Sequence, residues 1–424
     1  MKNILFVGDL RSANNYGAVA TTESLVRLLH DQEYDTEYKY IDYKSLYKPT
    51  PQIGFSNNKK TYFSIVKDAA KHFFPKLLIK FFKTKRSLNQ VDFVPYKLSQ
   101  FESYFSKMIA GQSLQYEKNL LEWADIVYIN GEGNIVNGTD SNGKYRMGAR
   151  YLLFMAWLSK VKYNKPTLIL NHTVDPRNYN AFEIISAVYP LLDQVLVRET
   201  LSLPVLKEYG VNNARFVPDA LFSYKPAVEW EPSEELKRQI DFSRPFICIG
   251  DSSGVKNAYS HVSWNVIEVF TEIILELKNI APQIIFVDGY NGNNEDINEV
   301  IRKNNIGYVN FQNCNYHDLL QVLKRSMIFI SGRWHASILC TLANTPILLW
   351  GADSHKTKSL YTLLDYNYRF FEVASLPANI PELIDEARKI LKDTDSIKEN
   401  MKQKVEMYSI AARENATILE QYVR

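Results

Sequence analysis

Short, nearly continuous apolar runs recur through the first half of the chain: "NILFVG" (3–8), "DIVYING" (125–131), "PTLILN" (166–171), "QVLVRE" (194–199) and "ARFVPD" (214–219). Runs of this kind predict strands buried on both faces of a parallel sheet. Between most of them the apolar positions recur at helical spacing, as in "TTESLVRLLHD" (21–31) and "GARYLLFMAWLSKVKY" (148–163). That alternation predicts an α/β domain over 1–225. A polar passage with two prolines before its end, "YKPAVEWEPSEELKRQIDFSRP" (224–245), predicts a linker with one helix.

The pattern then restarts with "FICIGD" (246–251), an amphipathic stretch near 262–279, "QIIFVDG" (283–289), "IGYVNF" (306–311), "SMIFISG" (326–332) and "TPILLWG" (345–351). This is a second α/β domain over 245–390, followed by a segment, 391–424, helical throughout. The expected architecture is two doubly wound Rossmann-type domains facing a cleft, with the terminal helix crossing back, as in the glycosyltransferase-B fold. In open α/β sheets ligands sit beyond the carboxyl ends of the strands. The residues just after each run are therefore the first place to look for chemistry.

Composition narrows the class. A chain of 424 residues exceeds one ordinary core, and 46% apolar with 23% charged residues is typical of a globular protein. A net charge of +3 gives no reason to expect nucleic acid. Cys248, Cys314 and Cys340 are widely spaced, which fits a reducing compartment. No CxxC pair or HExxH points to a metal. The opening "MKNILFVGDL" enters a strand at once, without a signal-peptide pattern. No run approaches the roughly 18 apolar residues that span a bilayer. The expected location is cytoplasmic.

One stretch breaks the pattern. Residues 59–86 carry nine Lys or Arg against one acid, with six aromatics among them. Two readings stand: an inserted hairpin packing its aromatics on the domain, or a basic surface for anionic lipid headgroups at the inner face of the membrane.

The strand ends carry the chemistry. "GDLRSANNYGAVATTESL" places Asn15 and Gly17 in a strand-to-helix turn whose N–H groups can meet an anion or a sugar. "NGEGNIVNG" sets Glu132 between glycines, as a base, with Asn134 beside it; "NHTVDPR" puts His172 at the next strand end. Arg198 ends "QVLVRE", where a guanidinium can fork two oxygens of a carboxylate or phosphate; Asp219 ends the following strand. "SGRWHASILCTLAN" brings Arg333 and His335 to the start of a helix, whose dipole adds about half a positive charge. Lys356, past the next strand, can join them. Together these are groups for a polyanion.

The motifs "NNYGA", "ADIVYINGEGNI", "VRETLSLPVLKEYGV", "FVPDALF" and above all "SGRWHASILCTLANTPILL" with "KTKSL" occur in order along most of the chain. In this the sequence resembles the polysaccharide pyruvyl transferases; the 59–86 stretch lies outside the shared pattern. The resemblance implies a glycosyltransferase-B-type fold and transfer of a pyruvyl group from phosphoenolpyruvate to two hydroxyls of a sugar, lipid-linked or nucleotide-linked, as a cyclic ketal. No further cofactor is implied. Arg198, Arg333, Lys356, Asn15, Asn134 and His172 would bind substrate. His335 would be the acid or the partner of the phosphate, with Glu132 or Asp219 as base. Two other readings stay open: a nucleotide-sugar glycosyltransferase, with Glu295 and Asp296 as its acidic pair, and a non-catalytic glycan-binding protein.

Overall fold

Ile4, Leu5, Phe6 and Val7 are completely buried, as residues of a strand with a parallel partner on either side must be. In the computed structural model, residues 1–42, 94–136, 147–175, 179–226, 229–255, 262–289 and 294–424 are described. The basic stretch 59–86 lies outside them.

The first sheet is built from β1 (Lys2–Asp9), β2 (Thr36–Asp42), β3 (Ile126–Glu132), β4 (Thr167–His172), β5 (Gln194–Val197) and β6 (Ala214–Phe216). Its order is β2-β1-β3-β4-β5-β6, with every pair parallel. The second sheet contains β7 (Phe246–Ser252), β8 (Gln283–Val287), β9 (Gly307–Val309), β10 (Phe329–Gly332) and β11 (Ile347–Leu349). Its order is β11-β10-β7-β8-β9, again parallel throughout. The apolar runs sit on these strands. The exception is β2, whose sequence TEYKYID shows no such run, because it lies at an edge of the described sheet and only Ile41 is buried.

Helix α1 (Tyr16–His30) follows β1 and starts at an N-cap, Asn15, whose Oδ1 accepts from the N–H groups of Gly17 and Ala18 at 2.9 and 3.1 Å. Gly8, next to last in β1, has φ +90°, and a Cβ there would stand 2.5 Å from the Asn130 carbonyl oxygen. Helix α2 (Ser202–Glu208) follows β5. In the second domain α3 (Trp334–Leu342) follows β10 and α4 (Lys356–Leu363) follows β11. Helix α1 lies against α3, so the two domains meet at the residues that begin these helices.

The terminal segment is not one continuous helix. Helix α5 (Thr394–Ala411) is followed by two short turns, Glu414–Thr417 and Glu420–Val423. Asn415 sits at that break, donating from Nδ2 to the carbonyls of Pro218 and Ala412 at 2.9 and 3.0 Å. Its own carbonyl accepts from the Tyr128 hydroxyl at 2.5 Å. Ala416, Ile418 and Leu419 are buried with Phe6, Leu25 and Tyr128, so the chain does return to the first domain. Among the described residues, no helix is long and apolar enough to cross a membrane.

Candidate active site

Four neighbouring strands of the first sheet end at one place, and each delivers a polar side chain. Glu132 is the last residue of β3 and holds φ +41°; Asn171, near the end of β4, holds φ +54°. Left-handed backbone at a residue other than glycine costs about 1–3 kcal/mol and is held only where the surroundings fix it. Arg198 follows β5, and Asp219 follows β6. From the other side, α3 brings Trp334 and His335 in its first turn.

Arg198 is the centre of the cluster. Its side chain is 1% exposed, yet it makes contacts in both domains. Nη1 donates to Asp219 Oδ2 at 3.0 Å and to His335 Nε2 at 2.9 Å, while Nε donates to Thr173 Oγ1 at 3.1 Å. Glu132 Oε1 stands 3.7 Å from Nη1. A guanidinium has only donors. It therefore meets a lone pair on Nε2, which belongs to the neutral ring. The same Nε2 lies 3.4 Å from Asp219 Oδ2 and 3.6 Å from Glu132 Oε1, acceptors for a protonated ring.

Asp219 has no oxygen to spare. Oδ1 accepts from Thr21 Oγ1 at 2.6 Å and from the Leu221 N–H at 3.0 Å; Oδ2 accepts from Arg198 and from Trp334 Nε1, each at 3.0 Å. Burial alone would push this carboxyl up. The His335 and Arg198 charges and the hydrogen bonds outweigh it and hold Asp219 well below the usual carboxylate range. A carboxylate so held is a poor proton acceptor. Asp219, the alternative base, thus has both oxygens engaged by Thr21, Leu221, Arg198 and Trp334. Glu132, its side chain 16% exposed, is the open carboxylate of the pair.

The other expected residues divide. Arg333, the N-cap of α3, forks Asp251 from β7 through Nε at 2.6 Å and Nη2 at 2.7 Å. Burial raises the Asp251 carboxyl, with Asp288 adding to it and Arg333 opposing it. Lys356 bonds Asp353 at 2.6 Å, and Asp353 also accepts from Ser253 Oγ at 2.9 Å. Asn15 spends its side-chain oxygen on capping α1. Asn134 donates from Nδ2 back to Gly131 O at 3.3 Å, closing its own turn.

His172 is fully buried in the first sheet, with Nδ1 on Leu196 O and Nε2 on the Tyr189 hydroxyl, both at 3.0 Å. Burial, and then the Arg198 charge, bring its pKa down to about 3. Both ring nitrogens are thus engaged within the first domain.

Thr21, Thr173 and Trp334 complete the cluster without standing out in the sequence, and Asn171, at a strand end, joins them. Asn171 donates to Thr21 Oγ1 at 3.0 Å and accepts from the Ala220 N–H at 2.9 Å, which ties α1, β4 and the Asp219 turn together. Their one signal is position. Asn171 and Trp334 each stand next to a candidate residue, and Thr21 lies one helical turn beyond Gly17.

Comparison with known proteins fits this geometry. The chain resembles, over nearly its whole length, a sucrose-phosphate synthase from Thermosynechococcus elongatus (TM-score 0.55, 11% identity, 99% of each chain). It also resembles a putative UDP-N-acetylglucosamine 2-epimerase from Listeria monocytogenes (0.58, 12%, 99% of this chain and 96% of that one). A third is the UDP-GlcNAc 2-epimerase from Neisseria meningitidis (0.53, 12%, 99% and 98%). Likeness at such identity shows the fold, which is of the glycosyltransferase-B type. No protein of curated function matches the chain. The family model for polysaccharide pyruvyl transferases matches residues 15–354, from the Asn15 cap of α1 to the loop before α4. With that match covering every strand but β1 and every residue of the Arg198 cluster, the chain belongs to the polysaccharide pyruvyl transferase family.

Proposed function

We propose that the protein moves the pyruvyl group of phosphoenolpyruvate onto two hydroxyls of a sugar in a surface polysaccharide or its precursor. The product is a cyclic ketal, and phosphate is released. The observation that carries this reading is the 2.9 Å contact of Arg198 with His335 Nε2. It places a buried cation, an imidazole and the first turn of α3 at one point between the domains.

The chemistry requires a proton on the methylene carbon, attack of two hydroxyls at C2, and departure of phosphate. His335, protonated on Nε2, gives its proton to C3, and C2 gains oxocarbenium character. Glu132 takes the proton of the first hydroxyl as its oxygen bonds to C2. The C2–O bond to phosphate then breaks with its electron pair, and Arg198 with the α3 N–H groups stabilises the departing charge. The second hydroxyl closes the ketal and gives its proton to the neutral His335. Glu132 then passes the first hydroxyl's proton to the released phosphate, and the second hydroxyl's proton replaces the one His335 placed on the methyl group. Asp219 holds Arg198 and Trp334 in place throughout.

Phosphate release from phosphoenolpyruvate, measured against a panel of free, nucleotide-linked and lipid-linked sugars, tests the reading and identifies the acceptor. A second reading has one observation in its favour: the Neisseria meningitidis structure of the same fold is bound to UDP-GlcNAc. Thermal shift separates the two. Stabilisation by phosphoenolpyruvate and not by UDP-sugars supports pyruvyl transfer, and the reverse supports glycosyl transfer. The three cysteines are free and buried, which suits a reducing compartment. The basic, aromatic composition of 59–86 supports contact with anionic membrane lipid, and salt-sensitive binding to anionic vesicles tests that.

A further inference from the structure

Arg198 and Glu199 are consecutive, and both cross between the domains, but to different helices. Arg198 meets His335 in the first turn of α3; Glu199 meets His355, the N-cap of α4, at 3.2 Å between Oε1 and Nε2. Glu199 is fully buried and saturated with donors. Oε2 accepts from the N–H groups of Leu201 and Ser202 at 2.8 and 3.1 Å and from Ser359 Oγ of α4 at 2.8 Å. Oε1 also accepts from Ser202 Oγ. On its other edge His355 faces Asp175, which lies beyond the end of β4. Oδ2 accepts the His355 backbone N–H at 3.2 Å and stands 3.6 Å from Nδ1.

The spacing of Ser202, His355 and Asp175 imitates a nucleophile with its base and carboxylate, with Ser202 Oγ 3.4 Å from Nε2. It is not one. Ser202 is fully buried, donates to Glu199 and accepts from the Val174 N–H at 2.8 Å, so no substrate reaches it. What the cluster does is join. Glu199 and Asp175 belong to the first domain, and His355 and Ser359 to the second. The two halves come from "RETLS" and "HKTKS", which lie about as far apart in the sequence as the Arg198 and His335 motifs.

We propose that Glu199, through His355 and Ser359, is a positioning residue that clasps the two domains in the arrangement that sets Arg198 against His335. The proposal rests on the reading of that site as the place of pyruvyl transfer. Burial alone would push the Glu199 carboxyl up, but the hydrogen bond and charge of His355 and the two serines hold it below the usual range, so the clasp carries an ionised carboxylate. A protein whose competent arrangement is only partly populated shows its donor affinity reduced by that fraction. Saturating donor restores the arrangement. Loss of the clasp therefore raises KM and leaves kcat nearly as it was, which a general loss of structure would not do.

The test uses the full chain and the variants E199Q, H355Q and E199Q/H355Q. Glutamine at 199 keeps an acceptor for the Leu201 and Ser202 N–H groups and removes the charge. Glutamine at 355 works from the other domain and leaves the 199–202 turn untouched. Each single variant should raise KM for phosphoenolpyruvate about tenfold, with kcat changed less than about threefold, and the double variant should be no worse than the weaker single. Hydrogen exchange without any substrate should quicken at both 197–208 and 353–363 in each single variant. Wild-type KM in H355Q, or losses that multiply in the double variant, would overturn the clasp. Should phosphoenolpyruvate prove not to be the donor, exchange decides alone: H355Q that quickens only its own helix refutes the proposal.

Discussion

The imidazole of His335 lies on Gly17: a Cβ at Gly17 would stand 2.1 Å from Nδ1 and 2.6 Å from the histidine Cβ. The glycine of the first helix turn in one domain is the seat of the histidine in the other. Gly17→Ala should leave α1 intact, since alanine favours helix, while forcing His335 away from Arg198. Misplacement by about 1 Å can cost on the order of a hundredfold in rate. Turnover should fall by that order with an unchanged circular dichroism spectrum. Wild-type turnover in this variant would mean that His335 does not act from its observed position.

Replacing His335 itself tests its role as the acid. His335→Asn keeps a polar side chain but cannot deliver a proton at neutral pH, so phosphate release should drop on the order of a hundredfold or more with donor affinity less affected. Glu132→Gln should be comparably slow, because Glu132 is the open carboxylate 3.6 Å from Nε2. Either variant turning over normally when folded removes that residue from the proton-transfer steps.

Arg333 and Asp251 depend on each other. Removing the fork in Arg333→Ala leaves a buried carboxylate whose pKa burial already raises. Breaking such a pair costs about 3–5 kcal/mol. The double variant Arg333→Ala/Asp251→Asn should recover much of that in urea unfolding while staying weak in donor binding. Equal stability of the single and double variants would show that the fork carries no such strain.

His172 gives the fold an acid-sensitive point. Its pKa is about 3 in the fold against about 6.5 in an unfolded chain. Above pH 6.5 both states are neutral and the contribution is complete. As pH falls toward 3 the unfolded chain takes up a proton that the folded one excludes, and stability is lost by up to about 5 kcal/mol. His172→Gln, which still offers a donor and an acceptor to Leu196 and Tyr189, should flatten unfolding free energy between pH 6.5 and 4. An undiminished slope in that variant would assign the sensitivity to other groups.

Much of this is legible from the residues in order. β1, β3, β4, β5, β7, β8 and β10 are visible because a strand covered on both faces must be apolar at every position. β2 is not, because an edge strand is excused from that rule and its tyrosines alternate with charges. Arg198, Glu132 and His335 can be found by looking just past the end of each strand. Asn15, Asn134 and His172 stand in equivalent places, and their side chains bond the protein's own groups. An asparagine that caps a helix looks in sequence like one that binds a sugar. The partners that settle His172 lie 24 and 17 residues away, on Leu196 and Tyr189. Glu199 is hidden for a similar reason, since its partner His355 is 156 residues distant.

The return of the chain end to the first domain has a consequence for synthesis. Ala416, Ile418 and Leu419 cover apolar surface formed by Phe6, Leu25 and Tyr128, and the Tyr128 hydroxyl donates to the Asn415 carbonyl. The first domain is the earlier to leave the ribosome, yet it emerges with part of its core uncovered. At about 5–20 residues per second, the roughly 200 residues between β6 and Leu419 take about 10–40 s to arrive. During that interval the nascent domain presents a greasy face beside Tyr128, a natural target for chaperones. Cells lacking them should lose this protein first as aggregated, newly made chains rather than as mature enzyme.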